Sequence, residues 1–108
     1  MNISEEYEKL VKRREALVGD IDYESEPVIQ DSIKLLTKDI DSTIDFLDNE
    51  CSGRQLVWIS EIFDELVEAT QSRELIACFY RVAAKYPEES EKYYIVRHIQ
   101  MAEDYLLD

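Results

Sequence analysis

The sequence predicts an all-α protein, a compact single-domain bundle of about five helices across residues 1–108. Three observations point there. The chain has only 2 Gly and 2 Pro in 108 residues, far fewer than a turn-rich β-protein needs. Apolar residues make up 45% of it, enough for one core in a chain of ordinary domain size. Through most of the chain those residues recur at intervals of three and four, the period of a helix with one buried face.

The first helix is expected from about Ile3 to Leu17, with Ser4 as its cap and Gly19 as its end. Glu5 and Glu6 fall in its first turn, where the helix dipole favours acids. Its inward residues are Ile3, Tyr7, Leu10, Val11 and Leu17. The second begins near Pro27, a favourable first-turn residue, and runs to about Leu47. Ile29, Ile33, Leu36, Ile40, Ile44 and Leu47 give it the longest regular stripe in the chain. The stretch DNECSGR reads as a loop broken at Gly53.

The third helix is expected from about Gln55 to Ala69, with Leu56, Ile59, Phe63, Leu66 and Val67 inward. Ser72 caps the fourth, which carries Leu75, Ile76, Phe79, Val82 and Ala83 to Tyr86, and Pro87 marks the next break. The last runs from about Glu88 or Ser90 to Leu106, with Ile95, Ile99, Ala102 and Leu106 along one side. Short connections predict antiparallel neighbours.

Charge bounds the partners. There are 25 acids against 12 bases, a net charge of −13. Residues 20–68 hold 14 acids against only Lys34, Lys38 and Arg54, a net −11, whereas the first 19 residues balance. Such a field repels nucleic acid and anionic membranes and attracts basic proteins. The N-terminus MNISEEYEKL has neither a basic start nor an apolar run, so no signal peptide is expected. No apolar run approaches the ~20 residues of a membrane span. A cytoplasmic, reduced protein is the expectation, with Cys78 a small buried apolar residue.

The stretch DIDYESEP sets Asp20, Asp22, Glu24 and Glu26 at alternate positions, like the early ligands of a calcium loop. That loop needs Gly at its sixth position, where Ser25 stands, and Pro27 would kink it. A solvated linker or a partner contact is expected instead. His98 is the single histidine, so no histidine-rich zinc site can be built, and a half-buried structural role is expected for it. No phosphate-binding glycine loop or activated nucleophile is recognisable. No catalytic residue, metal site or cofactor is expected, and the chain does not read as an enzyme. Its seven tyrosines lack the basic groove of a base-stacking protein and read as amphipathic edges of the core or, in part, as interface.

On the third helix Glu61, Asp64, Glu65 and Glu68 fall at i, i+3, i+4 and i+7, an expected continuous acidic face. Like charges at that spacing cost a few tenths of a kcal/mol per pair, so helix stability does not explain them. Trp58 borders that face and has two readings, an interface anchor beside a charged rim or a wider core stripe.

The stretch WISEIFDELVEATQSRELIACFYRVAAKYPEE, residues 58–89, resembles small helical bacterial immunity proteins of contact-dependent growth inhibition and other polymorphic toxin systems. The resemblance rests on Trp58, Ser60 and Glu61, on the turn Thr70–Glu74 and on Lys85–Glu89. The tail IQMAEDYL, residues 99–106, extends it less specifically, so it covers about half of the chain. It implies a cytoplasmic antidote that binds one toxin domain, often a basic RNase or DNase, and blocks it. Asp20, Asp22, Glu24, Glu26, Trp58, Glu61, Asp64, Glu65 and Glu68 are the expected partner-binding residues. The free protein is expected to be a monomer, with no direct contact to nucleic acid or membrane. The alternatives are an acidic nucleic-acid mimic and a helical adaptor for a basic host protein.

Overall fold

A computed structural model describes residues 2–17 and 22–107, with the backbone alone for 22–24. The described residues form eight helices and no strand: α1 Ile3–Ala16, α2 Asp22–Lys38, α3 Ile40–Asn49, α4 Gly53–Ser60, α5 Phe63–Thr70, α6 Arg73–Lys85, α7 Pro87–Lys92 and α8 Ile95–Glu103. The all-α expectation holds, and the radius of gyration of 13.1 Å is that of a compact chain of this length. The count of about five does not hold. Three of the five expected segments are each divided in two, and each division has a local cause.

Asp39 makes the first. Its carboxylate accepts the backbone N–H groups of Asp41 (3.1 Å) and Ser42 (3.4 Å) and the Ser42 hydroxyl (3.0 Å), capping α3 within the expected long helix. The chain bends there, and the buried Thr43 hydroxyl donates to the Leu36 carbonyl at 2.8 Å, near the end of α2. The second division is the Glu61–Ile62 turn. The Ser60 hydroxyl bonds the Val57 carbonyl (2.6 Å), and the N–H groups of Glu61 and Ile62 reach back three residues rather than four. The third is Tyr94, held in the left-handed region at φ 55°, between α7 and α8.

Two helix starts also differ from expectation. Asn2, not Ser4, caps α1, its side chain accepting the Glu5 N–H at 2.9 Å. Gly19 lies outside the described residues. Pro27 stands inside α2, which starts five residues earlier, so the backbone of Asp22–Glu26 is helical rather than a linker. Ser72 does cap α6, accepting the Leu75 N–H at 3.0 Å, and Pro87 is the first residue of α7.

Helix α8 packs across α5 and α6, α3 covers α6, and α1 and α5 both pack on α2. The expected inward residues Leu56, Ile59, Phe63, Leu66, Val67, Leu75, Phe79, Val82, Ile95, Ile99 and Ala102 are all buried in one core. Each fully buried side chain of Leu or Phe size contributes roughly 1.5–3 kcal/mol of transfer free energy. Phe63 and Phe79 stack at 4.1 Å between centroids, and Tyr7 meets Phe46 edge-on at 5.9 Å. No helix of the described residues is long and apolar enough to cross a membrane.

Candidate binding surface

The surface is built on the α4–α5 corner. At the start of α4, Ser52 and Gln55 form a capping box, each side chain satisfying the other's backbone N–H. That fixes Arg54, whose guanidinium donates to Glu8 (3.0 Å) and, through Nε, to Glu15 (2.9 Å), tying α4 to α1. The Glu15 carboxyl is held below its ordinary range first by Arg54, then by the Trp58 indole N–H, which donates to it at 3.0 Å. The Arg14 guanidinium stands 5.0 Å from the Trp58 ring centroid.

Trp58 is thus half-buried, packed on the core, with its polar edge engaged inside the fold. Its free edge lines a cleft of about 630 Å³, shared with Glu61, Glu88, Glu89, Tyr93 and His98. Trp58 widens the core stripe, as one of its two readings expected, and keeps an edge beside carboxylates. Gly53 sits under this cleft. A Cβ there would stand 2.8 Å from a Glu89 carboxylate oxygen and 3.1 Å from the Tyr86 ring, so a larger residue would require those side chains to shift.

The acidic face is not one helix ridge. Glu61 belongs to the turn that ends α4, and Asp64, Glu65 and Glu68 belong to α5. These four remain close in the chain and face outward, Glu61, Glu65 and Glu68 exposed and Asp64 partly so. Of the other expected group, Asp20 lies outside the described residues, and Asp22 and Glu24 are placed by backbone alone, in the first turn of α2. Glu26 is exposed, accepting the Gln30 side-chain N–H at 2.8 Å. The packing of α2 on α5 brings Glu26 to Glu65. Burial raises the Glu65 carboxyl above its ordinary range, and the charges of Asp64, Glu68 and Glu26 push it the same way. Among the described residues, Asp64, Glu65 and Glu68 have no ion pair, while Arg13, Arg54 and Arg81 pair with Asp31, with Glu8 and Glu15, and with Asp48.

The C-terminal helices hold what the sequence reading missed. His98 is exposed, not half-buried. Tyr94, Met101 and Tyr105 are 72%, 45% and 41% exposed, so these tyrosines are surface rather than core edges. Their shared spacing with His98 was legible, but nothing in it told an outward stripe from a second inward one.

Nucleophilic chemistry finds no foothold at the cysteines. Cys51 and Cys78 are free and buried, and burial pushes both thiols up to about 12, so neither is a thiolate at neutral pH. No group of three or more His, Cys, Asp or Glu among the described residues is placed to hold a metal.

No family model, curated protein or solved structure matches this chain.

Proposed function

We propose that this chain is an immunity protein that binds a basic toxin domain, a nuclease, in the cytoplasm and neutralises it through an acidic surface, remaining a monomer when free. One observation carries the reading. Carboxylates of two helices, Glu26 from α2 and Asp64, Glu65 and Glu68 from α5, converge without an ion pair from any described base to α5. By contrast, Glu8, Glu15, Asp31 and Asp48 are paired with arginines. A cluster kept unpaired at a cost to folding suits a partner that brings its own cations and is steered in by the field. The resemblance of residues 58–89 to immunity proteins points the same way.

The test is co-expression with the toxin domain encoded beside it, scoring growth and co-purification. Rescue, with a complex that weakens as salt rises, is the expected result. The combined variant Glu26→Gln, Asp64→Asn, Glu65→Gln, Glu68→Gln should slow association on the order of tenfold and flatten its salt dependence. Undiminished toxicity without a complex would overturn the reading, and so would unchanged association by the quadruple variant.

A further inference from the structure

A basic groove lies between α1 and α2, on a chain whose net charge is −13. It encloses about 470 Å³ and is walled by Lys9 and Arg13 from α1 and by Lys34 and Lys38 from α2. Leu10 and Leu35, half-buried and packed against the core, are its apolar members. Glu6 is the one acid among its lining residues.

Charge sorting on the two helices gives the groove its sign. In α1, Glu6, Lys9, Leu10 and Arg13 recur at i, i+3, i+4 and i+7 and share one face. Glu8 and Glu15 lie seven apart on another, where Arg54 of α4 pairs with both. Helix α1 thus turns those two acids to α4 and these two cations to α2. Residues 20–68 hold three cations, and Arg54 is engaged within the fold. The other two, Lys34 and Lys38, both line the groove, both are exposed, and neither has an ion pair among the described residues. Arg13 gives Asp31 a single nitrogen, Nη1, at 3.2 Å. That pair is about half exposed, hence weak, and leaves the guanidinium further donors. Helix stability does not account for all four cations. Arg13 and Lys38 fall in the last turns of their helices, where the dipole favours them. Lys9 and Lys34 lie earlier, each four residues from its like-charged neighbour, a spacing at which like charges repel.

We infer that the groove between α1 and α2 docks an acidic, amphipathic protein segment, whose carboxylates meet Lys9, Arg13, Lys34 and Lys38 and whose apolar side chains rest on Leu10 and Leu35. A phosphate-bearing strand makes no use of the two leucines, and the net charge repels a long polyanion. Three of the four cations are lysines, point charges that accept carboxylates in many orientations, whereas phosphate recognition favours free arginine forks. A short segment lies within the ~8 Å over which the groove's own charges act at physiological salt, while distant acids are screened. The groove shares no residue with the carboxylates of Glu26 and α5 and is opposite to them in sign, so it does not rest on the antidote reading.

The probe is a short synthetic helical peptide with leucine on one face and glutamate on the other, titrated into the isotope-labelled full chain. Amide shifts are expected over residues 6–13 and 34–38, with an affinity that falls as salt rises. The combined variant Lys34→Gln, Lys38→Gln removes two exposed charges and should keep the parent's thermal melt while binding on the order of tenfold more weakly. The same peptide with serine for leucine should lose roughly the same factor. Unchanged binding by the double variant, equal binding of the serine peptide, or shifts confined to other helices would each overturn the inference. A single-stranded RNA of equal charge that binds the groove more tightly than the peptide would overturn it in favour of nucleic acid. Self-association that rises with concentration and is lost in the double variant would overturn it in favour of the acidic surface of a second copy. No toxin enters this titration, so its failure removes the groove alone, and failed growth rescue with intact peptide binding removes the antidote reading alone.

Discussion

Removing the charge of Glu65 should stabilise the fold. Glu65 faces Glu68 one turn along α5 and Glu26 on α2, and no described cation pairs with any of the three. Like-charge neighbours at such positions cost about 0.2–0.5 kcal/mol each, so Glu65→Gln should recover roughly 0.5–1 kcal/mol, with solvent screening favouring the lower figure. For a chain of this size that is a rise in Tm of roughly 2–8 °C. Because the folded state raises the carboxyl pKa, it binds the proton more readily than the unfolded state does. Wild-type stability therefore falls as pH rises through the window between the ordinary carboxylate value and the raised one. The advantage of Glu65→Gln should be full above that window and vanish below it. It should also shrink in high salt, which screens exposed charges beyond about 3 Å at 1 M. Differential scanning calorimetry across pH and salt reads all three trends. A lower Tm for Glu65→Gln would refute the reasoning, because Glu65 would then be making a contact the fold needs. A gain that salt leaves untouched would assign it to burial of the charge rather than to its neighbours.

Other expectations concern the fold around this surface. Thr43→Val should cost about 1–3 kcal/mol by leaving the Leu36 carbonyl without its buried donor. Thr43→Ser, which keeps the hydroxyl, should cost less in urea titration, and the reverse order would make the methyl the important group. Both thiols should resist a disulfide reagent at pH 8 in the folded protein and react once urea unfolds it, given burial and pKa values pushed up to about 12. Asp48 is held below its ordinary range by Arg81 first, so its contribution is present above that range and lost as pH falls through the depressed folded value. Melts of wild type and Arg81→Met should accordingly differ at neutral pH and converge in acid.

The buried faces were legible because period and burial are the same fact seen twice. Leu56, Ile59, Phe63, Leu66 and Val67 keep one stripe although a turn divides them, since the Glu61–Ile62 turn tightens the backbone without moving the face. For that reason the stripe could not reveal the turn. Nothing in the stripe of Ile33, Leu36, Ile40 and Ile44 set Asp39 apart as the cap that divides it. Tyr94 carries no sign of a left-handed backbone, because tyrosine has no preference for it. In the candidate surface, the unpaired carboxylates of α5 followed from spacing. The link of Trp58 to Glu15 joins residues 43 apart, which no local pattern encodes. Exposure of Tyr94, Met101 and Tyr105 depended on where the neighbouring helices lie, and a second set of apolar residues at helical spacing reads equally well as inward or outward.

The side chain of Gln71 bonds to Tyr105 and Leu107, and Ile95, Ile99 and Ala102 complete the core from α8. In the order in which a ribosome releases the chain, everything before α8 emerges without the helix that packs across α5 and α6. A nascent chain halted at Tyr86 would bear most of the acid and still lack the cover of its own core. Cooperative closure must wait for the last helix. An incomplete copy would thus expose apolar core surface, the condition under which chains aggregate or are degraded.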